Sequence, residues 1–221
     1  MPVPRGMDAV LTAGGVLFDL DGVLVDSSPV IDRVWRAWAA RHDIPWEQVV
    51  PLLPGRRAVE TVALLAPHLD AGEEGAELER VQTADLEGIS ACRGAVELTE
   101  QLAGFPWAIV TSGSRATATT RLRAIGIRLP EVLVTADDVT EGKPSPEGYL
   151  QAARRLGLAP ERCLVVEDAE AGVRAARAAG ARVAGVAGAG LGAAADLVDV
   201  TITSPADLLG HIGRAHDPLP G

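Results

Sequence analysis

Two aspartates, Asp19 and Asp21, stand one residue apart directly after the apolar run Val16-Leu17-Phe18. On an extended chain that spacing sends both side chains to the same side, roughly 6–7 Å apart. One carboxylate can attack an electrophile while the other gives up or accepts a proton. Three further short apolar runs are followed by groups of complementary chemistry. These are Thr111-Ser112-Gly113, then Asp137 and Asp138 with Lys143 beyond them, then Glu167-Asp168. The carboxylates offer a nucleophile and hard oxygen ligands for a divalent cation. The hydroxyls, the amides of the Ser112-Gly113 turn and the lysine can neutralise phosphoryl oxygens. Together they suit phosphoryl transfer to a carboxylate.

Each fragment alone has a plainer reading. Asp and Gly favour turns after strands, and Thr-Ser-Gly is a common helix start. A lysine before proline is usually a solvated loop residue, and Glu167-Asp168 could simply favour the dipole of the helix that follows. The argument for a site is the order: four groups, each after its own strand.

The elements that must position them are legible as alternation. Strands at Val16–Phe18, Trp107–Val110, Val132–Val134, Cys163–Val166, Arg182–Val186 and Val198–Ile202 are separated by helical patterns. Those helices run from about Ala95 to Ala103, Arg115 to Ile125, Pro146 to Leu156 and Ala169 to Ala179. This predicts an α/β fold, a Rossmann-like parallel sheet flanked by helices, whose ligands bind at the carboxyl ends of the strands. Between about Pro29 and Ser90 the texture is helical instead. Apolar residues recur as Ile31, Val34, Trp35 and Trp38, then Val59, Val62, Leu65 and Leu69, then Leu78, Val81 and Leu86. The expectation is a catalytic core of residues 1–28 and 91–221 with an inserted all-α cap domain at 29–90. Residues 1–12 and the tail after about Gly213 carry little pattern.

Composition narrows the partners. The 221 residues are 48% hydrophobic, enough for a sizeable core, but only 3% aromatic. Thirty acidic residues against 20 basic ones give a net charge of −10, which repels nucleic acid. No secretory signal or membrane-length apolar run is visible. Cys92 and Cys163 read as reduced, buried thiols, and His42, His68, His211 and His216 lack metal-ligand spacing. The expectation is a soluble cytoplasmic protein, monomeric or weakly self-associating, that takes a small phosphorylated metabolite.

The stretches "VLFDLDGVLVDS", "IVTSGS", "EGKPSPEGYL" and "VVEDAEAGVRAARAAG" resemble, in order, the motifs of the haloacid dehalogenase-like hydrolase superfamily, in the group with a helical cap. The resemblance implies that Asp19 is an aspartyl-phosphate nucleophile and Asp21 its general acid/base. It implies that Thr111, Ser112, Gly113 and Lys143 bind the phosphoryl group. Mg2+ would be held by Asp19, Asp168 and the carbonyl of Asp21, with Glu167 acting through the water shell. Relatives that are dehalogenases lack the second acid and ion-pumping ATPases carry threonine there, so Asp21 points to a phosphatase or phosphomutase.

Trp35, the stretch "GRRAVETVALLAP" and "VTADDVTEGKPSPEGYL" resemble glycerol-3-phosphate and 2-deoxyglucose-6-phosphate phosphatases. Trp35 and Trp38 fit a helical core stripe equally well. In similar enzymes a cap loop like Gly55-Arg56-Arg57 reaches over the site, so Arg57 is either a substrate contact or half of a surface arginine pair. The expected function is a magnesium-dependent phosphomonoesterase for a small polyol or sugar phosphate. The alternative is a β-phosphoglucomutase-type phosphomutase. A receiver-like signalling domain fits poorly, because its paired acids come first in the chain and here Glu167-Asp168 come last.

Overall fold

The computed structural model describes residues 12–212. Apart from Thr12, the weakly patterned ends fall outside that range, as does His216. Six parallel strands form the central sheet: β1 (Gly15–Phe18), β4 (Trp107–Val110), β5 (Val132–Val134), β6 (Cys163–Glu167), β7 (Arg182–Val186) and β8 (Val200–Ile202). Their spatial order is β5-β4-β1-β6-β7-β8. The first strand is therefore central, and the chain winds outward from it in both directions. Such a sheet has its switch point beside β1, between the strands that carry Asp19 and Glu167.

Both faces of the sheet are dry, which is why its strands read as continuous aliphatic runs. Val16 and Phe18 pack on one side with Leu98, Ala118 and Leu122 from the helices α5 (Ala95–Gln101) and α6 (Arg115–Ala124). Leu17 faces the other side, against Tyr149 and Ala152 of α7 (Glu147–Arg155) and Val173 and Ala176 of α8 (Glu170–Ala178). Alanine and glycine are dense in α8 because the helix lies close to the sheet. Gly172 is the limiting case: a Cβ there would fall 1.6 Å from a carboxylate oxygen of Glu167.

The helical region comprises α1 (Ser28–Arg41), α2 (Trp46–Val49), α3 (Ala58–Leu65) and α4 (Ala71–Ala84). It has a separate apolar cluster, built from Val30, Val34, Trp38, Val49, Val62 and Leu78 among others. Trp38 is 2% exposed, its ring meets Trp35 edge-on at 5.4 Å, and its Nε1 donates to Glu74 on α4. Val59 and Leu86, which fit the same periodicity, lie on the outside.

Both crossings between the two regions run side by side as a short antiparallel ribbon, β2 (Val25–Asp26) with β3 (Ser90–Ala91). Two-residue strands carry no alternation, so this ribbon has no sequence signature. The last strand is also shorter than its apolar run, because residues up to Leu197 form 3₁₀ turns and the bulk of Val198 packs under Gly185.

Replacing Gly172 with alanine should destabilise the fold by about 1–3 kcal/mol or more, since the overlap involves a fully buried side chain. Gly188→Ala is the control: its backbone is extended (φ 169°) and its added methyl would meet nothing within 4 Å. Denaturant melts of the two variants should differ clearly, with Gly188→Ala close to wild type.

Candidate active site

The strand β1 ends at Phe18, but the Asp19 amide still donates to Val166 on β6 at 2.9 Å. That bond fixes the Asp19 side chain at the sheet edge. The chain then turns instead of continuing as a strand. The Leu24 and Val25 amides both return to the Leu20 carbonyl at 2.9 Å, and the Gly22 amide donates to Val25 at 2.8 Å. A turn, not strand alternation, thus brings Asp21 to the same cavity as Asp19. Gly22 makes the turn possible with φ 82°, where a Cβ would also strike Asp168.

Lys143 reaches this floor from the loop before α7. Its Nζ donates to Asp19 Oδ1, to Glu167 Oε1 at 2.6 Å and to the Val110 carbonyl at 3.3 Å. Glu167 is fully buried and all its bonds are internal. Oε1 also accepts from the Tyr149 hydroxyl at 2.7 Å, and Oε2 accepts from the amides of Asp168 and Ala169 at 3.0 and 3.1 Å. Its structural work is therefore to aim Lys143 and the start of α8.

Charge crowding in this dry floor perturbs the acids. Burial pushes the Asp19 carboxyl well above the usual carboxylate range, against the pull of Lys143. Burial and the neighbouring Glu167 push Asp168 up to about 7. Burial disfavours the Lys143 ammonium, but Asp19 and Glu167 outweigh it and hold the lysine well above its ordinary value. Oxygens of Asp19, Glu167 and Asp168 lie within 4.8 Å of one another. Three carboxylates facing one ammonium are a hard, anionic donor set of the kind that divalent cations take.

The cavity wall after β4 is built from Thr111, Ser112 and Gly113. The Thr111 amide bonds Val134, its Oγ1 accepts from the Gly113 amide at 3.1 Å, and Ser114 caps α6 by accepting from Thr117. Ser112 turns toward the helical region, donating to the Gly55 carbonyl at 2.8 Å. Gly55 itself has φ 73° and sits where a Cβ would touch Ala169 at 3.0 Å, so the loop can approach the core only with glycine there.

Asp19, Asp21, Thr111, Ser112, Gly113 and Asp168 share a cavity of about 340 Å³, roofed by the helical region through Trp35, Leu53 and Gln82. Trp35 is 4% exposed in the helical core and also lines the cavity. Of the arginine pair, Arg56 lines this space. Arg57 instead bonds Glu60 Oε1 at 2.5 Å and the Thr140 carbonyl at 3.1 Å. Glu60 accepts in turn from the Gly142 amide at 3.2 Å, which ties the helical region to the loop that carries Lys143. Asp137 and Asp138 stand apart: Asp137 accepts from the Arg115 amide, while Asp138 pairs with Arg115 and Arg155.

With this geometry in view, the likenesses are informative. The model for "Hydrolase: haloacid dehalogenase-like hydrolase" matches residues 14–180. The chain belongs to the haloacid dehalogenase-like hydrolases. It is 46% identical over 175 residues to "Hexitol phosphatase A" of Escherichia coli (strain K12), covering 75% of this chain and 79% of that protein. It is 35% identical over 186 residues to "Glycerol-1-phosphate phosphohydrolase 2" of Saccharomyces cerevisiae (strain ATCC 204508 / S288c), covering 78% of this chain and 74% of that protein. The crystal structure of a hydrolase from Pseudomonas syringae superposes with a TM-score of 0.73 at 31% identity, over 90% of this chain and 97% of that one.

In this haloacid dehalogenase-like hydrolase several site residues have no local sequence signal. Arg121 lies four residues after Thr117 on the buried face of α6 and is 2% exposed; a cation on an otherwise buried face was its only mark. Tyr149 is the chain's single tyrosine and is 1% exposed. Ser27, just before the helical region, bonds Asp21, and Gln82, near the end of that region, bonds Arg121.

The acid cluster generates a prediction on stability. In the fold Asp168 keeps its proton to about pH 7, whereas unfolded it loses it in the ordinary carboxylate range. The unfolded chain therefore binds fewer protons between those limits, and the metal-free fold should lose stability as pH rises through them. Asp168→Asn should flatten that slope and raise the metal-free Tm near neutral pH. Wild type should be stabilised by a saturating divalent cation, by about 2.7 kcal/mol at a hundred times Kd. The variant should lose that gain, which thermal melts with and without Mg2+ will show.

Proposed function

We propose that this hydrolase is a magnesium-dependent phosphomonoesterase that acts on a small polyol or sugar phosphate through an aspartyl-phosphate. The observation that carries the reading is the pairing on one floor: Asp19 is held by Lys143, and Asp21 faces the same cavity. Asp19 attacks phosphorus, forming a new P–O bond as the bond to the alkyl oxygen breaks. Asp21 protonates the departing alkoxide. Water then attacks the phosphoryl group, Asp21 takes its proton, and the bond to Asp19 breaks to release inorganic phosphate. Thr111, Ser112 and Gly113 orient the phosphoryl oxygens, and Lys143 offsets their charge.

Mg2+, held by Asp19, Asp168 and the carbonyl of Asp21 with Glu167 behind them, would supply positive charge for the phosphoryl oxygens. The helical region, residues 29–90, acts as a cap domain that excludes bulk water and selects the leaving group. Its wall of the cavity offers Asp32, Thr61 and Gln82, which suit a hydroxyl-rich group. The names of the hexitol and glycerol phosphate relatives point the same way. Arg56 and Gly55 belong to this specificity wall, whereas Arg57 supports it through Glu60 and the Lys143 loop.

We place the enzyme in the cytoplasm. Both cysteines are free, and burial pushes the thiols of Cys92 and Cys163 up to about 12 and about 11, which keeps them protonated and unreactive. Among the described residues no helix is long and apolar enough to cross a membrane.

Release of inorganic phosphate in Mg2+, scanned over hexitol, glycerol and sugar phosphates, tests the function. Asp19→Asn should fall to background, and Asp21→Asn should lose about 10²–10⁴-fold. Equal activity of wild type and Asp19→Asn would overturn the reading. Isomerised sugar phosphate without free phosphate would replace it with a β-phosphoglucomutase-type reaction.

A further inference from the structure

The carboxyl of Asp21 is held from one side only. Arg121 Nη1 and Ser27 Oγ both donate to Asp21 Oδ1, each at 2.6 Å. Oδ2 has no hydrogen-bond partner among the described residues, and Asp21 lines the cavity. The two donors therefore sort the two oxygens: one is anchored, and the other is left for chemistry. A carboxyl free to spin would present either oxygen in many orientations. A carboxyl anchored by a fork and a hydroxyl presents one.

Arg121 is unusual for the place it occupies. It belongs to α6 in the core, is 2% exposed, and lines the cavity next to Asp21. Its Nη2 donates to Gln82 Oε1 at 3.3 Å, on α4 of the helical region. Its Nε is buried with no hydrogen-bond partner. A buried donor without a partner costs stability, so the guanidinium is not explained by folding alone. Nearby, Glu79 of α4 accepts from the Ser114 amide and Thr117 hydroxyl of α6 at 3.1 and 2.8 Å, and Thr83 meets Thr117 at 2.6 Å. The same two helices that carry the Arg121–Gln82 contact are thus joined over about two turns, from Ser114 to Arg121. When α4 is seated on α6, Gln82 fixes the far side of the guanidinium and Arg121 fixes Asp21.

We infer that Arg121 is a positioning residue for the acid/base, locking Asp21 with Oδ2 toward the substrate and tying that geometry to the seating of helix α4 through Gln82. The inference rests on the phosphomonoesterase reading and assigns that site a control it otherwise lacks. Proton delivery becomes effective when the helical region is docked, so an alkoxide does not leave into an open, wet site.

The test exploits leaving groups. Ejecting a polyol alkoxide requires a proton, whereas p-nitrophenolate departs without one. Arg121→Met should lower kcat for glycerol 1-phosphate by about 10²-fold, the usual result of misplacing a catalytic group, with little change in KM. Its loss on p-nitrophenyl phosphate should be about tenfold smaller or less, and Arg121→Lys should recover part of the alkyl-ester rate. Gln82→Ala, which leaves the core intact, should show the same ester dependence in weaker form. Circular dichroism and Tm identify any variant that fails to fold. In that event Gln82→Ala and Ser27→Ala carry the test. Equal losses on both esters, or none, would overturn the inference while leaving the function standing. A wild-type protein inert on every ester would instead remove the function itself.

Discussion

A lysine ammonium buried at the edge of a parallel sheet can stay charged only if anions meet it there, and those anions can be buried only because it is present. Lys143 satisfies both conditions with Asp19 and Glu167. Removing one member of a buried ionic set leaves uncompensated charge, typically at a cost of about 3–5 kcal/mol. The floor is therefore cooperative. β1 supplies Asp19, β6 supplies Glu167, α7 supplies Tyr149 to the same carboxylate, and the loop before α7 delivers the lysine. The small residues around it follow from this crowding, as the contact of Gly172 with Glu167 and of Gly22 with Asp168 demonstrates.

The helical region meets this floor at three places with different physical characters. The Gly55 carbonyl and Ser112 hydroxyl form a neutral bond over the turn after β4. Arg57 and Glu60 grip the backbone at Thr140 and Gly142, next to the lysine. Glu79 bonds the first turn of α6, where an anion complements the helix N-terminus. Each contact is polar and at most part-buried, unlike the apolar cores on either side. Such contacts can break and re-form at modest cost, which suits a roof that must admit a substrate. The thin β2–β3 ribbon is the only paired strand connection at the crossing among the described residues.

The fold and the floor were legible in the sequence for the same reason. Aliphatic runs mark buried parallel strands, and the residues just beyond them must gather at one edge. Asp19, Thr111, Lys143 and Asp168 were found by that rule. Asp137 and Asp138 obey it too, yet they pair with Arg115 and Arg155 and the Arg115 amide, because β5 is the sheet's outer strand and its edge lies off the centre. What stayed hidden was whatever depends on long-range packing. Ser27 and Arg121 converge on Asp21 while Gln82 accepts from Arg121, and no local pattern joins the three. The choice between Arg56 and Arg57 is likewise set by Glu60 and Thr140, the latter 83 residues away from Arg57.

The charge on the floor also bears on the order of events. Asp21 is neutralised by Arg121, and Asp19, Glu167 and Asp168 are opposed by Lys143 alone. With its acids ionised this group of six side chains carries two excess negative charges, in a setting where burial already drives Asp19 and Asp168 toward their protonated forms. A phosphate dianion brought here unaided would meet repulsion that little water can screen. On the proposed reading a divalent cation would cancel the excess and favour the ionised form of Asp19. Cation and phosphate ester would then bind with positive linkage, each raising the other's affinity by the same factor. On that reading the acids that look excessive for folding would make phosphate binding conditional on the metal.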